Sequence, residues 1–129
     1  MRALHPHQMT LPPSVIDGLW QLVRAEHAGA TAPEIVIDQT TIELANGEYR
    51  VRFAGKVVDA GTFAVGGVIE PSTILLRGAA GTNAGRTIPC IFQLRGDRLR
   101  VCYGFDGRAP TEFSTNPSNQ RYLWVYRRV

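Results

Sequence analysis

The chain has one lysine, two cysteines and three histidines in 129 residues, and each scarcity removes a class of explanation. Cys90 and Cys102 invite a disulfide, but a cytoplasmic location disfavours a bridge, and free, mostly buried thiols are the expected state. His5 and His7 flank Pro6 near the start without further ligands at zinc spacing, so no metal site is expected. His27 is the only other histidine, and no Gly-x-Ser-x-Gly elbow is present, so no nucleophilic triad can be assembled. No apolar run approaches the roughly 18 residues that span a bilayer. The opening residues 1–14 lack the continuous apolar stretch of a secretory signal. The expectation is a soluble, cytoplasmic protein with no membrane contact, in a compartment that keeps thiols reduced.

What is present describes a folded domain. Hydrophobic residues make up 44% and charged residues 19%, a balance that argues against disorder of the whole chain. The length suits one domain and allows a core without metal or disulfide staples. Residues 1–11 read as a flexible N-terminal segment and 12–129 as the folded unit. The net charge is +3, and every basic residue except Lys56 is arginine. The charge is uneven, −1 over residues 1–94 and +4 over 95–129. A basic end can meet nucleic acid or an acidic partner. Here the arginines alternate with apolar residues as on a solvated strand face, which disfavours nucleic acid.

Two hairpins stand out. Thr41–Ala45 and Glu48–Phe53 flank Asn46-Gly47, the pair that a type I′ turn favours because both central residues need positive φ. A two-residue loop there sets Leu44 opposite Tyr49 and Ile42 opposite Val51, with Glu43 facing Arg50 on the other side. Ile88–Leu94 and Leu99–Tyr103 surround Gly96-Asp97. That turn pairs Leu94 with Leu99, Phe92 with Val101 and Cys90 with Tyr103. Cys90 and Cys102 then point to opposite faces and cannot bridge. Pro89 lacks an amide donor, which suits an edge or bulge.

Elsewhere, Lys56–Val58 and Thr62–Val65 flank an expected turn at Asp59-Ala60-Gly61. Thr73–Leu76 reads as a strand, Gly78–Gly85 as a small-residue loop, and 104–120 as a long connection. Tyr122–Arg128 closes the chain with high β-propensity. Residues 14–29 are ambiguous. Ser14 with Asp17 resembles a capping box, and Ile16, Leu19, Trp20 and Val23 share a helical face. Yet Gly18 interrupts a helix, and Trp20, Leu22 and Val23 suit a strand equally well. Eight to nine strands at regular spacing indicate a meander barrel or sandwich.

Ala80–Thr87 comes close to a phosphate-binding loop, but Arg86 stands where the lysine belongs, and a strand-like run follows instead of a helix. Asp59, Glu70, Asp106 and Glu112 read as solvated surface carboxylates. Trp20, Tyr49, Phe53, Phe92 and Tyr103 share the expected inner face. In a barrel of about eight strands such rings either fill the interior or line a site for one small ligand.

Gly18-Leu19-Trp20 together with Arg127 or Arg128 resembles the lipocalin superfamily, in which Gly-x-Trp opens the first strand and a late arginine packs across the tryptophan. A broader likeness joins Gly18–Val23, Gly61-Thr62-Phe63, Glu70–Ile74, Ile91–Cys102 and Arg108–Phe113. These stretches are similar to an uncharacterised bacterial lipocalin-like family common in planctomycetes, which runs "IYxLxGDxLxxC" and then "RPxxF". Here Ala109 separates Arg108 from Pro110. The resemblance implies an all-β, single antiparallel up-and-down calycin-type barrel of about eight strands. It also favours a short N-terminal helical turn followed by a strand over residues 19–27. It implies no reaction.

The expected function is a non-enzymatic binding domain for a small apolar or amphipathic ligand, without cofactor or metal. Trp20, Tyr49, Phe53, Phe92, Tyr103 and Arg108 are the candidate ligand-binding residues. One alternative is a protein-interaction module, an inhibitor or immunity-type partner, using the basic C-terminal third and the 104–120 loop. The other is a small barrel enzyme with Arg108 and Glu112 at the barrel mouth.

Overall fold

The two expected hairpins form with the anticipated registers. Strands β3 (Thr40–Ala45) and β4 (Glu48–Phe53) pair Leu44 with Tyr49, Ile42 with Val51 and Glu43 with Arg50. Asn46 and Gly47 take φ values of 55° and 77°, the left-handed pair that such a turn requires. Strands β7 (Thr87–Arg95) and β8 (Arg98–Gly104) pair Leu94 with Leu99, Phe92 with Val101 and Cys90 with Tyr103. A computed structural model describes residues 14–67, 71–119 and 121–129. The expected flexible segment 1–11, with His5 and His7, lies outside the described residues, as does Glu70.

The remaining strands are β1 (Gly18–His27), β2 (Ala30–Thr31), β5 (Lys56–Gly66), β6 (Ser72–Gly81) and β9 (Arg121–Arg128), with one helix, α1 (Glu34–Gln39). Hydrogen-bonded neighbours run β1-β3-β4-β5-β6-β7-β8-β9, and β9 pairs back onto β1. The result is a closed, antiparallel, up-and-down barrel of eight strands, with the two-residue β2 attached to β1. Closure pairs each of the eight barrel strands on both sides and leaves only the short β2 and the end of β1 at an edge among the described residues. Among the described residues no helix is long and apolar enough to cross a membrane.

Three local expectations are corrected. Asp59-Ala60-Gly61 is not a turn, because β5 runs unbroken through it. The register against β6 shifts between Ala60 and Gly61. A Cβ at Gly61 would lie 2.0 Å from the Arg77 carbonyl oxygen, so this bulge needs glycine. The true reversal is Ala54-Gly55, with φ values of 52° and 82°. Second, Gly78–Gly81 belongs to β6, which shortens the small-residue loop to 82–86. Third, Pro89 stands in the interior of a closed sheet. It is tolerated because the β7–β8 ladder begins one residue later, at Cys90 opposite Tyr103.

Helix α1 is too short for a hydrophobic period to mark it. Pro33 precedes it. The Gln21 side-chain amide donates to the Ile37 and Thr40 carbonyls at 2.9 and 3.2 Å, satisfying groups that the helix end would leave open. The β1–β3 pairing stops at Gln21, while β1 continues along β9 to His27. The helix packs against β1 and β4 beside this divergence, with Ile37 against the core.

One end of the barrel is packed shut. Ser14 to Asp17 form the expected turn, in which Asp17 N–H donates to the Ser14 carbonyl at 3.0 Å. Trp20 is fully buried, and its indole N–H donates to the Ile16 carbonyl at 2.9 Å. The Arg128 guanidinium lies 4.3 Å from the centre of the Trp20 ring. It donates to the Asp17 and Val15 carbonyls at 2.8 and 3.0 Å. Gly18 stands beside it at φ 144°, a backbone conformation that L side chains rarely adopt. Between Ile16, Leu44, Ile74, Phe92 and Leu99 only about 10 Å³ of space remains.

Candidate functional site

The other half of the barrel is hollow. A cavity of about 360 Å³ lies above a floor of Ile42, Leu76 and Tyr126. Val58, Thr82 and Arg86 are exposed among its lining residues and mark its rim. The wall divides by chemistry. Strands β8 and β9 and the residue after β8 supply Tyr103, Phe105, Tyr122 and Trp124. These rings pack on one another: Phe105 meets Tyr122 edge-on at 4.7 Å, and Tyr103 meets Trp124 edge-on at 5.9 Å. Such contacts hold the wall rigid. His27 stacks on Tyr122 at 4.1 Å.

The opposing wall is polar. Asp59 on β5 is only 8% exposed. Its carboxylate accepts from the Asn83 side-chain amide at 2.7 Å and from the Asn83 backbone N–H at 3.3 Å. Asn83 in turn accepts from Arg86 at 3.3 Å. The Arg86 guanidinium also donates to the Phe105 carbonyl at 2.8 Å and lies 5.2 Å from the Phe105 ring centre. The chain Asp59–Asn83–Arg86 therefore ties β5 to the 82–86 turn and to the aromatic wall.

Three phenols complete the site. Tyr103 and Tyr126 share a hydrogen bond of 2.6 Å between their hydroxyls. The Tyr49 hydroxyl is buried beside Asp59 and makes no well-formed hydrogen bond among the described residues. Burial, reinforced by the Asp59 charge, pushes its pKa up to about 12. Burial also raises Tyr103 and Tyr126 well above the usual phenol value. All three are neutral hydroxyls at ordinary pH, able to donate and accept. Among the described residues no group of three or more His, Cys, Asp or Glu is placed to hold a metal ion.

Of the expected ligand-binding residues, the structure brings Tyr49 and Tyr103 to the cavity. Trp20 and Phe92 belong to the packed end. Phe53 keeps the alternation of Tyr49 and Val51, since the β3–β4 register is unbroken, but it sits at the tip of β4 beside Ala54-Gly55, 38% exposed, and does not line the cavity. Arg108 is exposed, with its backbone N–H on Asp106, and does not line the cavity. Glu112 lies with Phe113, Arg100 and Gln93 in a shallow outer depression, away from the mouth.

The sequence reading also placed Asp59 on the surface, and the structure buries it. Nothing local signals this, because its partner Asn83 is 24 residues away. Phe105, Tyr122 and Trp124 were legible as aromatic residues near β8 and β9, yet their convergence depends on barrel closure. After β8 the chain returns to the outer wall at Phe113 and Ser114. Phe113 stacks on Arg100 at 4.0 Å, and the Cys102 thiol reaches toward the Ser114 carbonyl at 3.8 Å. Cys90 and Cys102 are free and buried, on opposite faces as expected.

Fold and site define a half-filled up-and-down β-barrel with an amphipathic cavity in its open half. No protein-family model, curated protein or solved structure matches the chain.

Proposed function

We propose that this chain is a non-enzymatic, lipocalin-like binding domain that holds a small amphipathic molecule in the open half of its barrel. The cavity of about 360 Å³ carries this reading. Its size falls within the roughly 300–1,000 Å³ of small-molecule sites, and its lining follows their pattern of apolar rings with a few convergent polar groups. The lipocalin-like assignment is supported by the closed end, where Arg128 covers Trp20 next to Gly18.

The test uses N-phenyl-1-naphthylamine, a neutral apolar dye. Its emission should rise on saturable binding and quench Trp124 in the cavity. Val51→Trp places a large ring in the space and should abolish binding while leaving far-UV circular dichroism unchanged. Absence of saturable binding to the parent protein would sink the proposal, as would unchanged binding to a folded Val51→Trp variant.

A second reading, docking of an acidic protein partner, is favoured by one observation. Arg98 pairs directly with Arg95 on β7 and with Arg127 on β9, forming an exposed basic row on the outer face. Capture of a defined acidic partner should then weaken with salt and with Arg98→Glu. Capture indifferent to both would remove this reading.

A further inference from the structure

The buried carboxylate of Asp59 is the most informative group in the cavity. It is nearly removed from solvent, and no described cation forms an ion pair with it. A buried charge without a partner is costly, and folded proteins rarely retain one unpaired. Arg86 comes near but stops one amide away, held by Asn83 Oδ1 and the Phe105 carbonyl. The two hydrogen bonds from Asn83 use only part of the capacity of a carboxylate, which offers about four acceptor positions. Beside it, the Tyr49 hydroxyl is buried against Asp59 and makes no well-formed hydrogen bond among the described residues, which leaves its oxygen free to accept one. Two polar groups with spare capacity therefore share one corner of the cavity, and aromatic rings form the wall opposite.

The sign of that corner discriminates among ligands. A carboxylate or phosphate head would meet Asp59 in a low-dielectric site and be repelled. A neutral head would leave the carboxylate unpaired. An ammonium would supply the missing charge, and its N–H groups would reach both Asp59 and the Tyr49 oxygen. The π faces of the opposing rings add attraction for a cation and accept an apolar body.

We propose that the cavity selects small organic amines, with the ammonium on Asp59 and Tyr49 and the hydrocarbon part against Phe105, Tyr122 and Trp124. This rests on the reading of the barrel as a binding domain. The alternative for Asp59 is a purely structural one, fastening the 82–86 turn through Asn83.

Isothermal titration with three matched probes decides between them: 2-phenylethylamine, 2-phenylethanol and phenylacetate. The amine should bind at least about tenfold tighter than the alcohol, the ratio expected of a charge-assisted hydrogen bond. Phenylacetate should bind weakest. Asp59→Asn should collapse the preference for amine over alcohol to within about threefold. Where that variant loses the 82–86 turn, Tyr49→Phe serves instead, and should weaken the amine several-fold more than the alcohol. Alcohol binding as tight as amine binding in the parent protein overturns the amine assignment and leaves the binding-domain reading standing. Loss of amine and alcohol binding in equal proportion in Asp59→Asn assigns Asp59 the structural role and likewise overturns it. Failure of all three probes and of the neutral dye overturns both.

Discussion

Tyr49 is a buried phenol beside Asp59 that makes no well-formed hydrogen bond among the described residues, and its surroundings give it a measurable pH signature. Its pKa stands at about 12 against an ordinary 10.0, because burial and the neighbouring Asp59 disfavour the phenolate. Tyr103 and Tyr126 are shifted in the same direction by burial. The folded state thus keeps protons that the unfolded chain releases above pH 10. Stability from these groups is fully present below that pH and is lost as pH rises through 12. Urea midpoints should be level in this respect up to about pH 10 and then fall, less steeply in Tyr49→Phe. A midpoint that rises between pH 10 and 12 would contradict the assignment. At neutral pH, Tyr49→Phe should be neutral or stabilising by up to about 1 kcal/mol, since it removes an unsatisfied hydroxyl.

At the packed end, Arg128→Ala removes a cation over Trp20 and two hydrogen bonds to carbonyls. A loss of about 2 kcal/mol is expected in urea denaturation. Arg127, one residue earlier and exposed, should cost far less. Equal costs for Arg127→Ala and Arg128→Ala would remove the special role of this contact. The choice between the two arginines was open in the sequence, because strand alternation can be read only once the facing is known. Asp59 was illegible for a related reason. Val57 and Val58 are 50% and 38% exposed while Asp59 is buried, so apolarity along this stretch runs opposite to burial.

Among the elements, those whose geometry is decided within a few residues could be read directly. Asn46-Gly47 and Gly96-Asp97 specify their turns locally, and each turn then sets the register of both its strands. Strand β5 could not be read this way. Asp59-Ala60-Gly61 has turn composition, but its glycine serves a bulge whose partner is Arg77 on the next strand. The six residues of α1 hold too few turns to display a period. Pairing between elements also makes the basic row on β7, β8 and β9 testable. Like charges placed directly across strands repel, so Arg98→Glu should raise stability by roughly 0.5 kcal/mol at low salt. The gain should shrink in 1 M salt as screening shortens the reach of these charges. A destabilised Arg98→Glu protein at low salt would show that the 4.0 Å pair between Arg98 and Asp97 outweighs the repulsion along the row.

For the molecule as a whole, the question left by the sequence was whether the inner aromatics fill the barrel or surround a space. They do both, in different halves. Trp20 and Phe92 close one end, while Tyr103, Phe105, Tyr122 and Trp124 border the opening at the other. The division separates stability from recognition. Substitutions in the packed half should lower the denaturation midpoint, and those around the cavity should change dye affinity with smaller effects on the midpoint. A Val51→Trp protein that unfolds as readily as an Arg128→Ala protein would argue against this separation. The two tryptophans report on the halves independently, with Trp124 lining the cavity and Trp20 in the sealed core.

The pairing of β9 with β1 has a kinetic consequence. Arg128 and Asp17 are 111 residues apart in sequence and joined by a hydrogen bond, so the seal at Trp20 is among the contacts with the longest chain loops to close. During synthesis the first strand must wait, with its tryptophan uncovered, until the last has left the ribosome. Folding dominated by such distant partners is slow, typically milliseconds to seconds. In refolding, quenching or blue-shift of Trp20 should therefore lag behind the formation of the local β3–β4 and β7–β8 hairpins.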